Sequence, residues 1–250
     1  MTPRDGSETT GLRAVFDPTA RHVIPEVMDQ PGLDVALHRQ ALGALRRVNW
    51  LSRTADSLWE PIVELASQHS EADLTLVDVA CGGGDVACRL AQRAQTARLR
   101  LNVSACDVSP AAIDFARRQP VRDLPKPLEF FQHDVLSTPL PGTWDVVTCT
   151  LFLHHLNEAE AVTLLTRMAA AARRLVIIND LRRTRVGFWM AHAAARLLTR
   201  SPVVRVDAPL SVAAALTLAE VRQLADRCGW NGYSLRKIWP ERFLLSWRKP

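Results

Sequence analysis

Residues 74–85 read LTLVDVACGGGD, and this stretch decides the fold. Leu74 to Ala80 is an apolar run of strand length, a cysteine and three glycines follow it, and helical periodicity begins at Asp85. A buried strand, a glycine-rich turn and a helix start are typical of an α/β nucleotide-type site, because glycine lets ligand atoms approach the backbone closely. We expect the side chain of Asp85 to cap the amino end of that helix.

The segments that follow alternate between strands and helices. Apolar runs predict strands over 101–106, 128–131, 145–152 and 175–179, and helical spacing predicts helices over 85–97, 110–118 and 158–172. Strands separated by helices of this length predict right-handed crossovers and a parallel sheet that is covered on both faces.

The residues on either side of this alternation add further elements. Helices are predicted over 35–66 with a break at Pro61, and after the fifth strand over 185–199 and 216–228 with an irregular segment over 201–214 between them. Segments 233–238 and 243–247 are predicted to form an antiparallel hairpin, because the connection between them is short. The predicted fold is therefore α/β, with a doubly wound, Rossmann-like, mostly parallel sheet of seven strands whose last strand is antiparallel. An N-terminal helical lid and a helical insertion after strand five complete it.

The length and composition suit one packed domain, since 48% of the 250 residues are hydrophobic and 23% are charged. We divide the chain into a flexible N-terminus at 1–20, a helical lid at 21–70 and a main domain at 71–250, in which residues 182–215 cap the substrate. No apolar run reaches the ~18 residues of a membrane helix, and the N-terminus has no signal-type apolar core. We therefore expect a cytoplasmic protein with no membrane span.

The charge pattern argues against a nucleic-acid partner. The net charge is +5, but carboxylates interrupt the basic residues and break the continuous stripe that a nucleic-acid groove needs. The five cysteines include no C-x-x-C pair, which argues against a disulfide framework or a zinc ribbon. We expect Cys88, Cys106 and Cys149 to be small core residues.

Carboxylates around the glycine loop indicate which ligand it binds. The segment GGGDVA, residues 82–87, matches a relaxed dinucleotide pattern. However, Asp78 and Asp85 place negative charge where a pyrophosphate would lie, whereas the ammonium and sulfonium groups of S-adenosylmethionine favour it. Asp107 ends the second strand, where an acid can accept both ribose hydroxyls. Asp134 follows the third strand, where it can accept from the adenine amino group.

Over about residues 74–248 the chain resembles class I S-adenosylmethionine-dependent methyltransferases, in particular the small-molecule branch of quinone and polyketide type. The matching segments are VDVACGGG, ACDVSP, FQHDVL, WDVVTCTLFLHHL and LTLAEVRQLADRCGW. The resemblance implies that the cofactor contacts Asp78, Ala80, Cys81, Gly82, Gly84, Asp107, Val108, Asp134, Val135 and Thr150. Ala80 stands where the family has glycine, and this change is tolerated if Ala80 keeps a negative φ.

Two adjacent histidines are the candidate catalytic residues. His154 and His155 follow the fourth strand at the carboxyl edge, where an open α/β sheet binds its ligands. A histidine can take the proton of a hydroxyl acceptor near neutral pH, and His154 is preferred because it is nearer the strand. The alternative is that both side chains only bind backbone groups. We expect methyl transfer to a small aromatic, polyketide-like or quinone-like acceptor, with O-methylation favoured over C-methylation.

The insertion supplies a candidate substrate pocket. The apolar side chains expected to roof it are Phe188, Trp189, Met190, Leu197 and Leu198 from the insertion and Trp50 and Trp59 from the lid. Arg182, Arg183 and Arg185 are candidates to steer an acidic group on the acceptor.

We expect no metal site. Catechol-type O-methyltransferases hold magnesium with an Asp-Asn pair, whereas Asn179 and Asp180 stand in the reverse order here. Three other functions stay open, namely an RNA methyltransferase, a non-catalytic methyltransferase-like domain and a nicotinamide-dependent reductase. The sequence leaves the oligomeric state open.

Overall fold

The computed structural model of the chain describes residues 16–29, 32–69, 73–119, 124 and 127–250. Most of the N-terminal segment predicted to be flexible, residues 1–15, lies outside the described residues. Seven strands form a single sheet. They are β1 (Leu74–Val79), β2 (Leu101–Asp107), β3 (Glu129–Gln132), β4 (Trp144–Thr150), β5 (Ala172–Leu181), β6 (Ser234–Ile238) and β7 (Arg242–Arg248).

The strand order confirms the doubly wound topology. The order is β3-β2-β1-β4-β5-β7-β6. Strands β1 to β5 are parallel, and β7 is antiparallel to both β5 and β6. The chain winds outward in one direction from β1 and returns to continue from β4 in the other. A crevice therefore opens between the carboxyl ends of β1 and β4, where sheets of this kind bind ligands.

Helices cover both faces of the sheet. They are α1 (Val35–Leu51), α2 (Thr54–Ser67), α3 (Asp85–Thr96), α4 (Pro110–Arg117), α5 (Glu158–Ala171), α6 (Arg185–Leu198), α7 (Pro202–Ala214) and α8 (Leu218–Arg227). Local sequence sets several helix starts, such as the capping boxes Asn157/Glu160 and Thr217/Glu220. The lid helix α1 packs on the insertion helix α7 through Ala41, which clusters with Val203 and Val204.

The core lies in two layers separated by the sheet. On one face Leu76 of β1 packs with Leu58 of α2 and Leu90 of α3. On the other face Val77 packs in a second cluster with Met168 of α5, together with residues of α8. The alternation of β1 between these layers explains why its sequence is apolar on both sides. Cys88, Cys106 and Cys149 are buried in these layers, as predicted.

Three local predictions are wrong. Residues 202–214 are helical rather than irregular, because Ser201 caps the helix and Pro202 occupies its first turn. The break between α1 and α2 falls at Arg53, which is left-handed with φ 53°, and Pro61 lies inside α2. The N-cap of α3 is Gly84, and Asp85 is the first helical residue.

Among the residues that the structure describes, no helix combines the length and apolar character needed to span a bilayer.

Candidate active site

The glycine loop turns tightly from β1 into α3. The N–H of Cys81 donates to the carbonyl of Cys106 at 3.0 Å, and the N–H of Gly84 donates to the carbonyl of Cys81 at 2.9 Å. Ala80 has a φ of 54°, so the expectation of a negative φ is wrong. A left-handed alanine costs about 1 kcal/mol. The loop imposes this conformation because the hydrogen bonds of Cys81 and Gly84 fix the residues that follow Ala80.

Gly84 lies where no side chain fits. Its φ is 73°, and a Cβ built there would lie 2.6 Å from the ring of Phe130 and 2.8 Å from the Cβ of Ala116. Glycine therefore allows α3 to start directly against β3 and α4.

Asp107 links the end of β2 to the loop. One of its carboxylate oxygens accepts the N–H of Gly82 at 2.8 Å, and the other accepts the N–H of Ser109 at 2.9 Å. These two contacts fix the position of the Asp107 side chain at the loop.

Asp78 and Asp85 are buried close to the loop. Asp78 is fully buried, and its Oδ1 accepts from Thr148 at 2.8 Å, whereas Oδ2 has no partner among the described residues. Burial raises the pKa of Asp78 to about 7. Burial also raises the pKa of Asp85, against the effect of Asn49. A nearby cation would therefore stabilise the ionised form of both carboxyls.

A cavity of about 1000 Å³ lies at the carboxyl edge of the sheet. Ten of the twelve predicted site residues line it: Ala80, Cys81, Gly82, Asp107, Val108, Asp134, Val135, Thr150, His154 and His155. Asp78 and Gly84 are absent from its lining and support the loop from behind. The lid contributes apolar side chains, which include Leu33, Leu42 and Leu45.

Asp134 is fixed at the start of the loop that follows β3. Its Oδ1 accepts the N–H of Leu136 at 2.9 Å, and Ser137 donates to its Oδ2. The hydrogen bond from Ser137 lowers the pKa of Asp134. The side chain is therefore ionised at neutral pH at the end of the cavity that Asp107 and Val108 also line.

The two candidate histidines form a single 3-10 turn, Leu153–His155, after β4. Nδ1 of His154 lies 2.6 Å from Oδ1 of Asp180, and the backbone N–H of His154 donates to Oδ2 of Asp180 at 3.2 Å. This pairing arises because the end of β4 is in register with the end of β5, where Thr150 is opposite Asn179. Asp180 therefore orients the His154 ring.

Glu26 from the lid reaches the same corner. Its Oε1 lies 3.6 Å from Nε2 of His154 and 4.0 Å from Nε2 of His155, and the Ser211 hydroxyl donates to it. Sequence reasoning missed this residue, because no motif surrounds it and its position depends on how the lid folds back. The corner thus combines two imidazoles with the carboxylates of Glu26 and Asp180.

The carboxylates control the charge at this corner. Burial alone would lower the pKa of His154, but Asp180 and Glu26 raise it well above its ordinary value. Burial would raise the pKa values of Glu26 and Asp180, yet the neighbouring imidazoles hold both below their ordinary range. Asp180 and Glu26 therefore favour the protonated form of the His154 imidazole in this arrangement.

Comparisons with known proteins agree with this geometry. Residues 76–174 match the family model described as a methyltransferase domain. Ubiquinone biosynthesis O-methyltransferase of Schizosaccharomyces pombe is 36% identical over 85 residues, which are 33% of this chain and only 29% of that enzyme. An uncharacterized methyltransferase of Mycobacterium bovis is 26% identical over 201 residues, which are 78% of this chain and 94% of that protein. Magnesium protoporphyrin IX methyltransferase from Synechocystis PCC 6803, crystallised with bound S-adenosylhomocysteine, superposes with a TM-score of 0.56 at 18% identity and covers 89% of this chain and 91% of that one.

Residues 76–174 therefore form a methyltransferase domain, and the chain has the fold of S-adenosylmethionine-dependent methyltransferases. It is similar to methyltransferases that act on small molecules.

The insertion contributes small rather than bulky residues to the cavity. Ala191, Ala194 and Ala195 line it from α6, and Val204, Ala208 and Ser211 line it from α7. The aromatic side chains expected there lie elsewhere. Phe188 stacks on Phe16 at 4.4 Å, and Trp189 is 54% exposed.

The lid tryptophans also lie outside this cavity. Trp50 is 60% exposed and lines a separate groove beside α3, and Trp59 lies under the guanidinium of Arg93. The roof predicted from these residues is therefore wrong. It fails because helical spacing shows that a helix has an apolar face but not what that face contacts.

Two of the arginines expected to steer the acceptor have structural partners. Arg183 is buried and its Nη2 lies 2.7 Å from Oε1 of Glu220, and Nη1 of Arg182 lies 3.5 Å from Oε2 of Glu241. Arg183 therefore serves the fold, and the steering role expected of it is wrong.

Asn179 and Asp180 point to opposite faces of β5. The Asn179 amide donates to the Ser57 hydroxyl at 2.6 Å on the side of α2, whereas Asp180 faces His154. The two side chains therefore do not form one ligand set.

Proposed function

We propose that this methyltransferase transfers the methyl group of S-adenosylmethionine to a hydroxyl oxygen of a small, apolar acceptor of aromatic, polyketide or quinone type. The observation that carries the proposal is that one cavity of about 1000 Å³ connects the glycine loop to the His154–His155 corner. Its volume lies at the upper end of the range of roughly 300–1,000 Å³ for small-molecule sites. It suits a cofactor and a small acceptor side by side.

The cofactor lies at the loop end of the cavity in this proposal. Asp107 accepts from the ribose hydroxyls, and Asp134 accepts from the adenine amino group. Ala80, Cys81 and Gly82 present backbone to the cofactor, and Val108, Val135 and Thr150 line the rest of its site. Asp78 and Gly84 act from behind the loop, Asp78 through its charge and Gly84 by allowing the close packing that positions α3.

The acceptor lies at the histidine end. Methyl transfer is an in-line displacement, so the first task of the site is to align the acceptor oxygen with the methyl carbon. A phenol has a pKa of about 10, and the second task is to promote loss of its proton. His154 and His155 are the residues placed to contact this hydroxyl. The oxygen lone pair forms the bond to carbon, the electrons of the C–S bond stay on sulfur, and the hydroxyl proton passes to the His155 imidazole and from there to water.

A two-stage experiment tests this function. Calorimetry first establishes micromolar binding of S-adenosylhomocysteine, and phenols and hydroxyquinones are then assayed, each beside the same ring with its hydroxyl replaced by methoxy. We expect methyl ethers from the hydroxyl compounds and no product from the blocked ones, identified by NMR of the product. Methylation at ring carbon, or equal turnover of the blocked compounds, contradicts O-methylation.

A matched pair of variants tests the corner. His155→Gln should lower kcat by about 100-fold or more while binding of S-adenosylhomocysteine stays within about twofold. His192→Gln changes a histidine on the outer part of the insertion and should leave kcat unchanged. Equal kcat values for the two variants would contradict a catalytic role of His155.

A further inference from the structure

Three side chains of metal-binding type converge at the corner of the cavity. Glu26, His154 and His155 each offer one ligand atom, and these atoms lie within 4.8 Å of one another. Oε1 of Glu26 is 3.6 Å from Nε2 of His154 and 4.0 Å from Nε2 of His155. In a tetrahedral zinc site with bonds of 2.0–2.2 Å, neighbouring ligand atoms are about 3.4 Å apart. The two Glu26 separations exceed this value by about 0.2 and 0.6 Å, and bringing all three ligand atoms, which lie within 4.8 Å, to it requires shifts of up to about 1.4 Å.

We propose that Glu26, His154 and His155 bind a divalent transition-metal ion of the zinc type at the acceptor end of the cavity. Two imidazoles and one carboxylate form a donor set used by catalytic zinc, with a further coordination position left for water or substrate. Nitrogen ligands select zinc-like ions over magnesium, which prefers oxygen. We expected no metal from the sequence, because Asn179 and Asp180 stand in the reverse order of a magnesium-binding pair and histidine stands after the fourth strand.

The distance between Glu26 and His154 favours this interpretation over a simple hydrogen bond. An N–H···O bond spans 2.7–3.2 Å between heavy atoms, and the 3.6 Å between Nε2 and Oε1 exceeds that range. It is close to the spacing of two ligands on one ion. By contrast, the 2.6 Å between Nδ1 of His154 and Oδ1 of Asp180 is a short hydrogen bond of the charge-assisted kind.

Groups around the trio fix the ligands in place. Asp180 holds Nδ1 of His154 and so directs Nε2 towards Glu26, in the carboxylate–histidine arrangement that accompanies metal-bound imidazoles. The Ser211 hydroxyl donates to Oε1 of Glu26. Asp207 accepts the backbone N–H groups of Val27 and Met28 at 2.9 and 3.0 Å, which anchors the segment that carries Glu26.

Arg21 connects the lid segment that carries Glu26 to the turn that carries the two histidines. Its guanidinium donates to the carbonyls of His154 and Leu156 at 3.1 and 2.8 Å, and to the carbonyl of Ala214 at 2.6 Å. The lid, the 3-10 turn and the end of α7 are thus held in one arrangement. Because these supporting groups are fixed before the ion binds, ordering of the ligand side chains reduces the affinity for the ion only slightly.

The charge of the corner also suits a cation. Glu26 is 8% exposed and Asp180 is 1% exposed, so two carboxylates lie in a poorly solvated region. Buried carboxylates require a compensating positive charge. Protonated His154 supplies one such charge in the absence of an ion. A divalent ion bonded to Glu26 and His154 would replace that proton and offset both carboxylates.

The catalytic part of this inference rests on the proposed O-methylation, whereas binding of the ion does not. The acceptor hydroxyl would occupy the open position, and the ion would lower its pKa. The proton leaves to water, the oxygen lone pair bonds to the methyl carbon, and the C–S electron pair stays on sulfur to give S-adenosylhomocysteine. The charge of the ion does not change.

Metal titration of the chain without an affinity tag tests the site. The protein is stripped with a strong chelator and titrated with Zn²⁺ by calorimetry and with Co²⁺ by visible absorption, which reports N/O coordination. We expect one equivalent of each ion, with affinity at least tenfold lower in Glu26→Gln and His155→Gln and unchanged in His192→Gln. Binding of no ion, or equal affinity in all four proteins, overturns the proposal.

A further variant tests the site without removing a ligand, so that its result does not depend on the folding of Glu26→Gln and His155→Gln. Asp180→Asn leaves all three ligands in place and should weaken Zn²⁺ by about 10–100-fold. Each variant must bind S-adenosylhomocysteine as the wild type does, which shows that its fold is intact. Unchanged Zn²⁺ affinity in Asp180→Asn would contradict the proposed role of Asp180.

Turnover of stripped and zinc-loaded enzyme separates this inference from the proposed function. Methyl ether formation at least tenfold faster in the loaded enzyme supports both. Equal rates in the two forms overturn the catalytic role of the ion while O-methylation stands. If the loaded enzyme binds S-adenosylhomocysteine and one Zn²⁺ but makes no methyl ether, O-methylation fails and the metal site stands.

Discussion

The carboxylate of Asp107 accepts the backbone N–H of Gly82 at 2.8 Å, and this contact joins the end of β2 to the glycine loop. The same side chain is placed to receive the ribose of the cofactor. Because hydrogen bonds to charged groups contribute about 1.5–3 kcal/mol each, we expect Asp107→Ala to weaken binding of S-adenosylhomocysteine by at least tenfold in calorimetry.

Asp114 provides the matched control for this prediction. It is an exposed aspartate on α4, so Asp114→Ala removes the same charge without touching the loop. We expect its affinity for S-adenosylhomocysteine to equal that of the wild type. An Asp107→Ala affinity within twofold of the Asp114→Ala value would contradict the ribose role.

Alanine substitutions at Gly84 and Gly229 distinguish the effect of steric crowding from that of backbone strain. Their φ angles are 73° and 71°, but a Cβ meets Phe130 at 2.6 Å in the first case and nothing within 4 Å in the second. Gly229→Ala should therefore cost only the strain of about 1 kcal/mol. Gly84→Ala adds overpacking and should cost roughly 1–3 kcal/mol more. Urea unfolding of the two variants measures the difference, and equal losses of stability would show that the packing around Gly84 relaxes freely.

The parts of the fold that local sequence determines could be predicted. The strand at Leu74, the glycine turn and the acid at Asp107 follow one another within about thirty residues, and each depends on neighbours in the chain. The helix at Pro202 was missed although its signal is present, because Ser201 and Pro202 form a standard helix start. A closer reading of caps would have found it.

The histidine corner could be predicted only in part. His154 and Asp180 were each placed at a strand end, but their contact depends on β4 and β5 being neighbours in register. Glu26 gave no signal, since it lies over a hundred residues from the histidines and reaches them only through the packing of the lid on α7. Long-range contacts of this kind are set by tertiary packing, which the periodicity of the sequence does not predict.

Arg183 should hold the insertion to the N-terminal segment and α8. Besides its ion pair with Glu220, its guanidinium donates to the carbonyls of Pro18 and Ala215 at 2.9 and 2.6 Å. Arg183→Met leaves these acceptors unsatisfied and should lower the free energy of unfolding by roughly 2 kcal/mol. It should also increase hydrogen exchange in α7.

The neighbouring Arg185→Met is the control for this prediction, because Arg185 is exposed. Its stability should stay within about 0.5 kcal/mol of the wild type. If Arg183→Met unfolds at the same urea concentration as Arg185→Met, Arg183 does not hold the insertion.

Asp78 should make the cofactor-free fold less stable as the pH rises. Its pKa is raised from 3.8 to about 7 because the carboxyl is fully buried, so the fold favours the protonated form. The stabilisation that protonated Asp78 gives the fold is complete below the pKa that Asp78 has in the unfolded chain. This stabilisation is lost as the pH rises from about 4 to 7, and it stays lost above that. Between pH 5 and pH 8 this loss is roughly 2–3 kcal/mol. We expect Asp78→Asn to remove it, so that urea unfolding of the variant shows a correspondingly smaller decrease in stability over this range.

Asp145 supplies the control with the opposite sign. It is also largely buried, but although burial acts to raise its pKa, hydrogen bonds from Thr75 and Arg174 and the charge of Arg173 hold the pKa below the ordinary value. Its carboxyl is ionised in both the folded and the unfolded chain between pH 5 and pH 8, so Asp145→Asn should lower stability by the same amount at every pH in that range. A pH slope in Asp78→Asn equal to that of Asp145→Asn and the wild type would show that Asp78 does not ionise near neutrality. The pH dependence would then have to come from another group.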